Sequence, residues 1–266
     1  MGPDALCKNP DTEPAMTAIG RYLYGIIPCG EVRSFDVQGI HEQGREVYTI
    51  PYQDLAVVVS DSPHEAYDGL RRHLLAHTRV LEALMREYSV LPIRFGIVAP
   101  DVDTVREQLL ARHYDHLRAQ IDALRNRIEL GLKVFWTTED MLRRIADETP
   151  AIRALRDSLS GRSLESTYYE RIRLGEMVEQ ALTARRDHDA EIFLCELRPL
   201  AVESVTLPVH ADRMVLNAAF LVEREREAEF DEVVRRFGER FEDQFLFKYV
   251  GPVPPYNFVS ITIQWQ

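Results

Sequence analysis

The sequence predicts an α+β protein of two domains, with mixed or antiparallel sheets, long amphipathic helices and a ferredoxin-like C-terminal part. Three observations lead there. Short β-branched and aromatic runs interleave with two long stretches of helical apolar spacing over residues 17–138. At residue 139 the composition shifts to a charged, helix-rich segment. Beyond it a β-α-β order with an antiparallel return fits a small ferredoxin-like unit. The expected organisation is a tail over 1–16, an N-terminal α+β domain over 17–138, and a C-terminal domain over 139–266.

Taken in order, Ile19 to Ile27 reads as a strand stopped by Pro28 and Gly30. Val47 to Ile50 and Leu55 to Ser60 read as two more. Leu55, Val57 and Val59 alternate with Ala56 and Val58, so both faces of that strand are apolar and it belongs at the centre of a sheet. Ser62, Pro63 and Glu65 form a helix start with a capping box. Tyr67, Leu70, Leu74, His77, Leu81, Leu84 and Tyr88 then line one helical face. Val90 to Val98 reads as an edge or bulged strand, because Pro92 cannot donate to a ladder.

A second helix begins near Asp101 or Asp103, with Val105, Leu109, His113, Leu117, Ile121, Leu124 and Ile128 as its stripe and Gly131 as its end. Leu132 to Thr137 follows as a strand. From Glu139 to about Arg186 the chain is helical, with Ile152, Leu155 and Leu159 on one stripe and Leu164, Tyr168 and Ile172 on another. Strands are expected over Ser204 to Val209, Met214 to Val222, Phe245 to Val250 and Phe258 to Trp265. A helix lies between Glu223 and Glu242, lined by Phe230, Val233, Phe237 and Phe241.

Composition narrows the function. The chain is 45% hydrophobic and 28% charged, the balance of a packed protein rather than a disordered one. No apolar run approaches the roughly 18 residues that span a bilayer, and the start through Ala15 has no apolar core, so a cytoplasmic setting without a lipid membrane is expected. A formal net charge of −11 argues against nucleic acid, since phosphate binding needs a basic surface. Cys7, Cys29 and Cys195 have neither disulfide nor zinc spacing. That lysines are few, Lys8, Lys133 and Lys248 beside many arginines, carries no functional reading.

Catalytic patterns are missing. His73 and His77 stand four apart, as do zinc-binding histidines, but Leu74 occupies the position where a metalloprotease has Glu, and His77 lies in an apolar stripe. His113 and His116 lack further ligands too. No phosphate-binding glycine pattern or nucleophile elbow occurs. Glu223, Glu225, Glu227 and Glu229 alternate with Arg224 and Arg226 as a solvated helix face. No catalytic residue, cofactor or metal is assigned.

Two segments remain distinctive without catalytic logic: Ser89 to Gly96, reading SVLPIRFG, and Gly251 to Val259, reading GPVPPYNFV. With them go Tyr22 to Ile26 (YLYGI), the longer stretch His77 to Gly96 (HTRVLEALMREYSVLPIRFG), Glu129 to Val134 (ELGLKV) and Leu216 to Val222 (LNAAFLV). On these stretches, in this order, the chain resembles the gas vesicle protein F/L family along nearly its whole length. The resemblance implies a two-domain α+β protein with a ferredoxin-like C-terminal arrangement. It implies a minor component of gas vesicles, acting in nucleation and assembly and contacting the major shell protein and other accessory proteins. It carries no catalytic residues. The alternative reading is an enzyme or small-ligand binder on a ferredoxin-like scaffold.

Three residues are candidates for partner contact. Arg94 and Lys133 each stand out of phase with the apolar set of a strand, and both are expected on one sheet face opposite the helices. Tyr256 sits in a stiff turn among Pro252, Pro254 and Pro255, either exposed or packed on a neighbouring domain.

Overall fold

The computed structural model describes residues 19–41, 46–63, 66–137 and 141–259, together with 261, 263 and 265. The tail expected over 1–16 and Glu65 of the expected capping box lie outside the described residues. The chain forms two compact units, each assembled from separated stretches. One takes residues within Met1–Ala83, Ile93–Leu117 and Thr262–Gln266; the other takes Leu84–Pro92 and Arg118–Ile261.

The first unit is built on strands β1 (Gly20–Ile27), β2 (Ser34–Phe35), β3 (Val47–Tyr52), β4 (Leu55–Ser62) and, after helix α1 (Arg71–Met85) and the short β5 (Leu91–Pro92), β6 (Val98–Ala99). Its strands run β2-β3-β4-β1, with β6 also paired to β1. A two-residue turn, Gln53-Asp54, joins β3 to β4, and Gln53 takes φ +54° to close it. β4 lies between β3 and β1, antiparallel to both, with Val57, Val58 and Val59 fully buried. It is the central strand that its two apolar faces predict.

Three expectations for this region need correction. Ser62 does not cap a helix: it ends β4, buried, with its hydroxyl 2.8 Å from Tyr67 Oη, and α1 begins only at Arg71. The α1 stripe is buried from His77 onward, at Val80, Leu81 and Leu84, while Leu70 and Leu74 face solvent. The continuous strand expected over Val90 to Val98 is two short pieces. Between them Gly96 adopts φ +91°, which turns the backbone out of any ladder.

Next come α2 (Val102–Thr104), a π-helical stretch (Val105–Ala111) and α3 (Arg112–Ala123). Asp101 caps the start, its Oδ1 accepting the Thr104 N–H at 2.7 Å. Val105, Leu109, Leu117, Ile121 and Leu124 are buried, as their spacing predicts. The helix ends at Ala123 rather than near Gly131. Asn126, at φ +58°, reverses the chain, so Ile128 and Gly131 belong to the following strand.

That strand, β7 (Arg127–Trp136), opens the sheet of the second unit. After it come α4 (Met141–Glu148), α5 (Pro150–Ser158), the 30-residue α6 (Tyr168–Leu197), β8 (Glu203–Thr206), β9 (Met214–Glu223), α7 (Glu227–Arg240) and β10 (Phe245–Val253). The order across the sheet is β10-β7-β9-β8, antiparallel throughout. β7 and β8 bracket β9, and β9 and β10 bracket β7, so each strand-helix-strand connection leaves room for one strand between. The sequence reading puts β7 with the N-terminal part; its ladder partners are β9 and β10.

α6 and α7 cover one sheet face. Phe193 of α6 meets Phe237 of α7 and Phe245 and Phe247 of β10 at 5.1–5.3 Å between centroids, in edge-on geometry. Trp136 of β7 donates its indole N–H to buried Asp189 at 2.8 Å, and Arg185 pairs with the same carboxylate at 2.9 Å. The strand expected over Phe258 to Trp265 does not form among the described residues. Tyr256–Phe258 is a 3₁₀ turn, and Trp265 returns to the first unit, donating its indole N–H to the Val98 carbonyl at 2.8 Å.

Candidate functional site

The first unit holds a polar knot in an apolar core. Tyr22 Oη lies 2.9 Å from His77 Nδ1 and accepts the Gly96 N–H at 3.1 Å. His77 is stacked on Tyr24 at 5.6 Å and meets Phe95 edge-on at 5.8 Å. Burial lowers its pKa to about 4, against the opposing pull of a hydrogen bond to the Ile93 backbone, so the ring is neutral near pH 7. Tyr24 shares a 2.9 Å hydrogen bond with Ser60, accepts the Ile40 N–H at 2.7 Å, and is pushed up to about 12 by burial. The loop that this knot holds carries Arg94, exposed. His73 is set apart, its Nδ1 3.2 Å from the Asp68 carbonyl and its ring edge-on to Tyr67. Among the described residues no three His, Cys, Asp or Glu side chains converge as a metal site.

In the second unit, the sheet face opposite the helices is the one that presents Lys133. Side chains alternate along β7, so Glu129, Gly131, Lys133 and Phe135 share that face while Leu130, Leu132, Val134 and Trp136 are buried under the helices. Directly across the ladder, Lys133 stands opposite Lys248 of β10. Lys248 turns inward, its ammonium 5.1 Å from the Phe135 ring centroid. Leu246 and Val250 flank it on the same face, 52% and 55% exposed. Neither lysine forms an ion pair among the described residues.

Four positions along β7 from Lys133, the same face is closed by the proline-rich turn. Glu129 is buried there and accepts the Asn257 backbone N–H at 2.9 Å and its side-chain amide at 2.6 Å. Burial raises the Glu129 pKa despite these hydrogen bonds. Tyr256 beside it has its hydroxyl pKa raised, by burial first and by the charge of Glu129 second. Tyr256 is 38% exposed, and Pro254 and Pro255 are buried.

The structure therefore brings Lys133 and Tyr256 to one sheet face but not Arg94, which lies on no strand and belongs to the first unit. The expected common sheet face of Arg94 and Lys133 does not exist. Lys248 was missed. The signal was present, since lysine occurs three times in the chain and two of the three fall on neighbouring strands.

A family model described as gas vesicle synthesis protein GvpL/GvpF matches residues 20–260. The chain belongs to the gas vesicle protein F/L family. It is 32% identical over 246 residues to gas vesicle protein F of Dolichospermum flosaquae, covering 92% of this chain and 99% of that one. The crystal structure of GvpF from Anabaena sp. superposes with a TM-score of 0.81 at 30% identity, over 92% of this chain and all of that one (100%). GvpF from Microcystis aeruginosa gives 0.79 at 28% identity, over 91% and 99%. An accessory role in gas vesicles follows from membership.

The stretches that carry the family likeness meet in pairs. Tyr22 of one bonds His77 and Gly96 of another in the first unit. Glu129 of a third holds Asn257 of the last in the second unit. In this chain, then, the stretches that carry the likeness are tied to one another by polar contacts within each unit.

Proposed function

We propose that this chain is a minor gas vesicle component that assists nucleation and assembly by binding the hydrophobic shell protein and limiting its aggregation. The observation carrying this reading is an exposed apolar stretch over the first turns of α6 and the turn just before it. Leu164, Tyr168 and Ile172 stand four apart, with Tyr169 beside them, all in water, Leu164 at 72% and Tyr169 at 81% exposure. Helical apolar spacing normally marks a buried face. A contiguous apolar patch left bare marks an interaction surface. A shell subunit rich in apolar surface offers the complement, and the net charge of −11 on this chain would keep the complex dispersed. Other gas vesicle accessory proteins are proposed as further partners, met through Arg94, Lys133 and Tyr256 rather than through the α6 stretch. No catalysis is part of this reading.

Co-expression with the shell protein, followed by pull-down and measurement of soluble shell protein, tests it. The wild-type chain is expected to retain shell protein and keep it in the supernatant. A Leu164→Ser, Tyr168→Ser, Tyr169→Ser variant with unchanged melting is expected to lose both. Equal retention by that variant would overturn the reading.

A further inference from the structure

We infer that the bare face of β7 and β10 around Lys133 and Lys248 is a docking surface for an acidic protein segment, one carrying carboxylates beside apolar residues. This goes beyond the shell-binding reading, which rests on the stripe of α6. Like charges directly opposite each other on a ladder destabilise a sheet. Here two of the chain's three lysines face each other across β7 and β10, in a protein of net charge −11. Carboxylates are abundant, yet none among the described residues is placed to neutralise either ammonium.

A lysine on an edge strand has a familiar use as a guard against strand-to-strand aggregation. β10 is such an edge, so that use covers Lys248 in part. It does not cover Lys133, which lies on an interior strand paired on both sides. Nor does it explain the inward turn of Lys248 over Phe135, which brings its ammonium over β7, two residues along from Lys133. The two cations form one positive patch on the face, not a fence along the edge. Leu246 and Val250 add exposed apolar surface on either side of Lys248.

The shape of the complement follows. A carboxylate set between the two ammoniums would remove their repulsion, and an apolar neighbour would cover Leu246 or Val250. A purely apolar surface would leave the cations in place, and desolvating them unpaired is costly. A second copy of the chain, docking by this face, would double the positive charge.

The test uses the full-length chain and a synthetic peptide, acetyl-Leu-Glu-Val-Glu-Leu-amide, with a twin in which both Glu are Gln. Titration followed by backbone amide resonances is expected to move Gly131, Lys133, Phe135, Leu246 and Lys248. Affinity is expected to fall roughly tenfold for the Gln twin, two exposed ion pairs being worth about that much, and about threefold for Lys133→Gln, which removes one of them. It should weaken at high salt, and Lys133→Arg should restore binding. Equal affinity of the twin, no effect of Lys133→Gln in a chain that melts normally, or no shifts on this face would each overturn the inference. So would sedimentation showing that the chain dimerises through this face. Shell-protein retention, read in parallel, depends on the α6 stripe, so either proposal can fail alone.

Discussion

His77 is the residue with the most telling surroundings. Its folded pKa of about 4 lies below the ordinary 6.5, so between those values the unfolded chain binds a proton that the folded chain does not. The stability it contributes is present above pH 6.5 and is lost as pH falls toward 4, at up to about 1.4 kcal/mol per pH unit. Urea midpoints at pH 7 and pH 5 should show this slope. His77→Gln, which keeps a polar group near Tyr22 without the proton, should flatten it, and an unchanged slope would count against the assignment. Glu129 has the opposite sign. Its raised pKa means that the fold disfavours its charge, so this group contributes more stability as pH falls through its folded pKa toward 4.5. Removing the side chain is a different matter, because the Asn257 N–H and amide lose their acceptor. Glu129→Ala is expected to cost about 2 kcal/mol by chemical denaturation, and Glu129→Gln clearly less. None of this was visible in the sequence, where His77 is one member of an apolar stripe and Glu129 one acid among many.

The elements were read well where periodicity alone decides them and poorly where a single backbone angle does. β4, β9, α7 and the buried stripe of α3 follow their spacing. The end of α3 does not, because Ile128 is spaced to suit either helix or strand and Asn126 settles it by taking φ +58°. Tyr168 and Ile172 obey the helical period and are still not buried, which no period can reveal, and Leu164, expected on the same stripe, lies before a 3₁₀ turn that precedes the helix. The contact of α6 with β7 depends on Asp189. Arg185 is 40% exposed and can return to water, but the Trp136 indole N–H cannot. Asp189→Ala should therefore cost about 2 kcal/mol, mostly from that orphaned donor, and shift Trp136 emission to the red. Unchanged emission and melting would show the pair to be idle. Gly251 closes the far end of the sheet at φ +153°, where an added Cβ would lie 2.6 Å from Leu130 Cδ2 and 3.2 Å from the Glu129 carbonyl. Gly251→Ala is expected to lose about 2 kcal/mol, measurable as a lowered Tm.

At the scale of the molecule, contiguous domains were the natural reading of the sequence, since nothing in composition marks a chain that changes unit at 83, 92, 117 and 261. Trp265 belongs to the first unit and donates its indole N–H to the Val98 carbonyl. A chain ending at Val259 should exchange the amides of β1 and β6 about fivefold faster while those of β7 and β9 keep their protection. Equal exchange in β1 and β6 would show that the return is ornamental. That return also sets a timetable for synthesis. β1 leaves the ribosome among the first elements, yet the indole of Trp265 is made 148 residues after Leu117, where the earlier part of that unit ends. At ordinary rates of translation this delay is roughly ten to thirty seconds. For that interval the nascent chain carries a strongly apolar sheet whose Val98 carbonyl still lacks its indole donor, and the unit begun first is the one finished last.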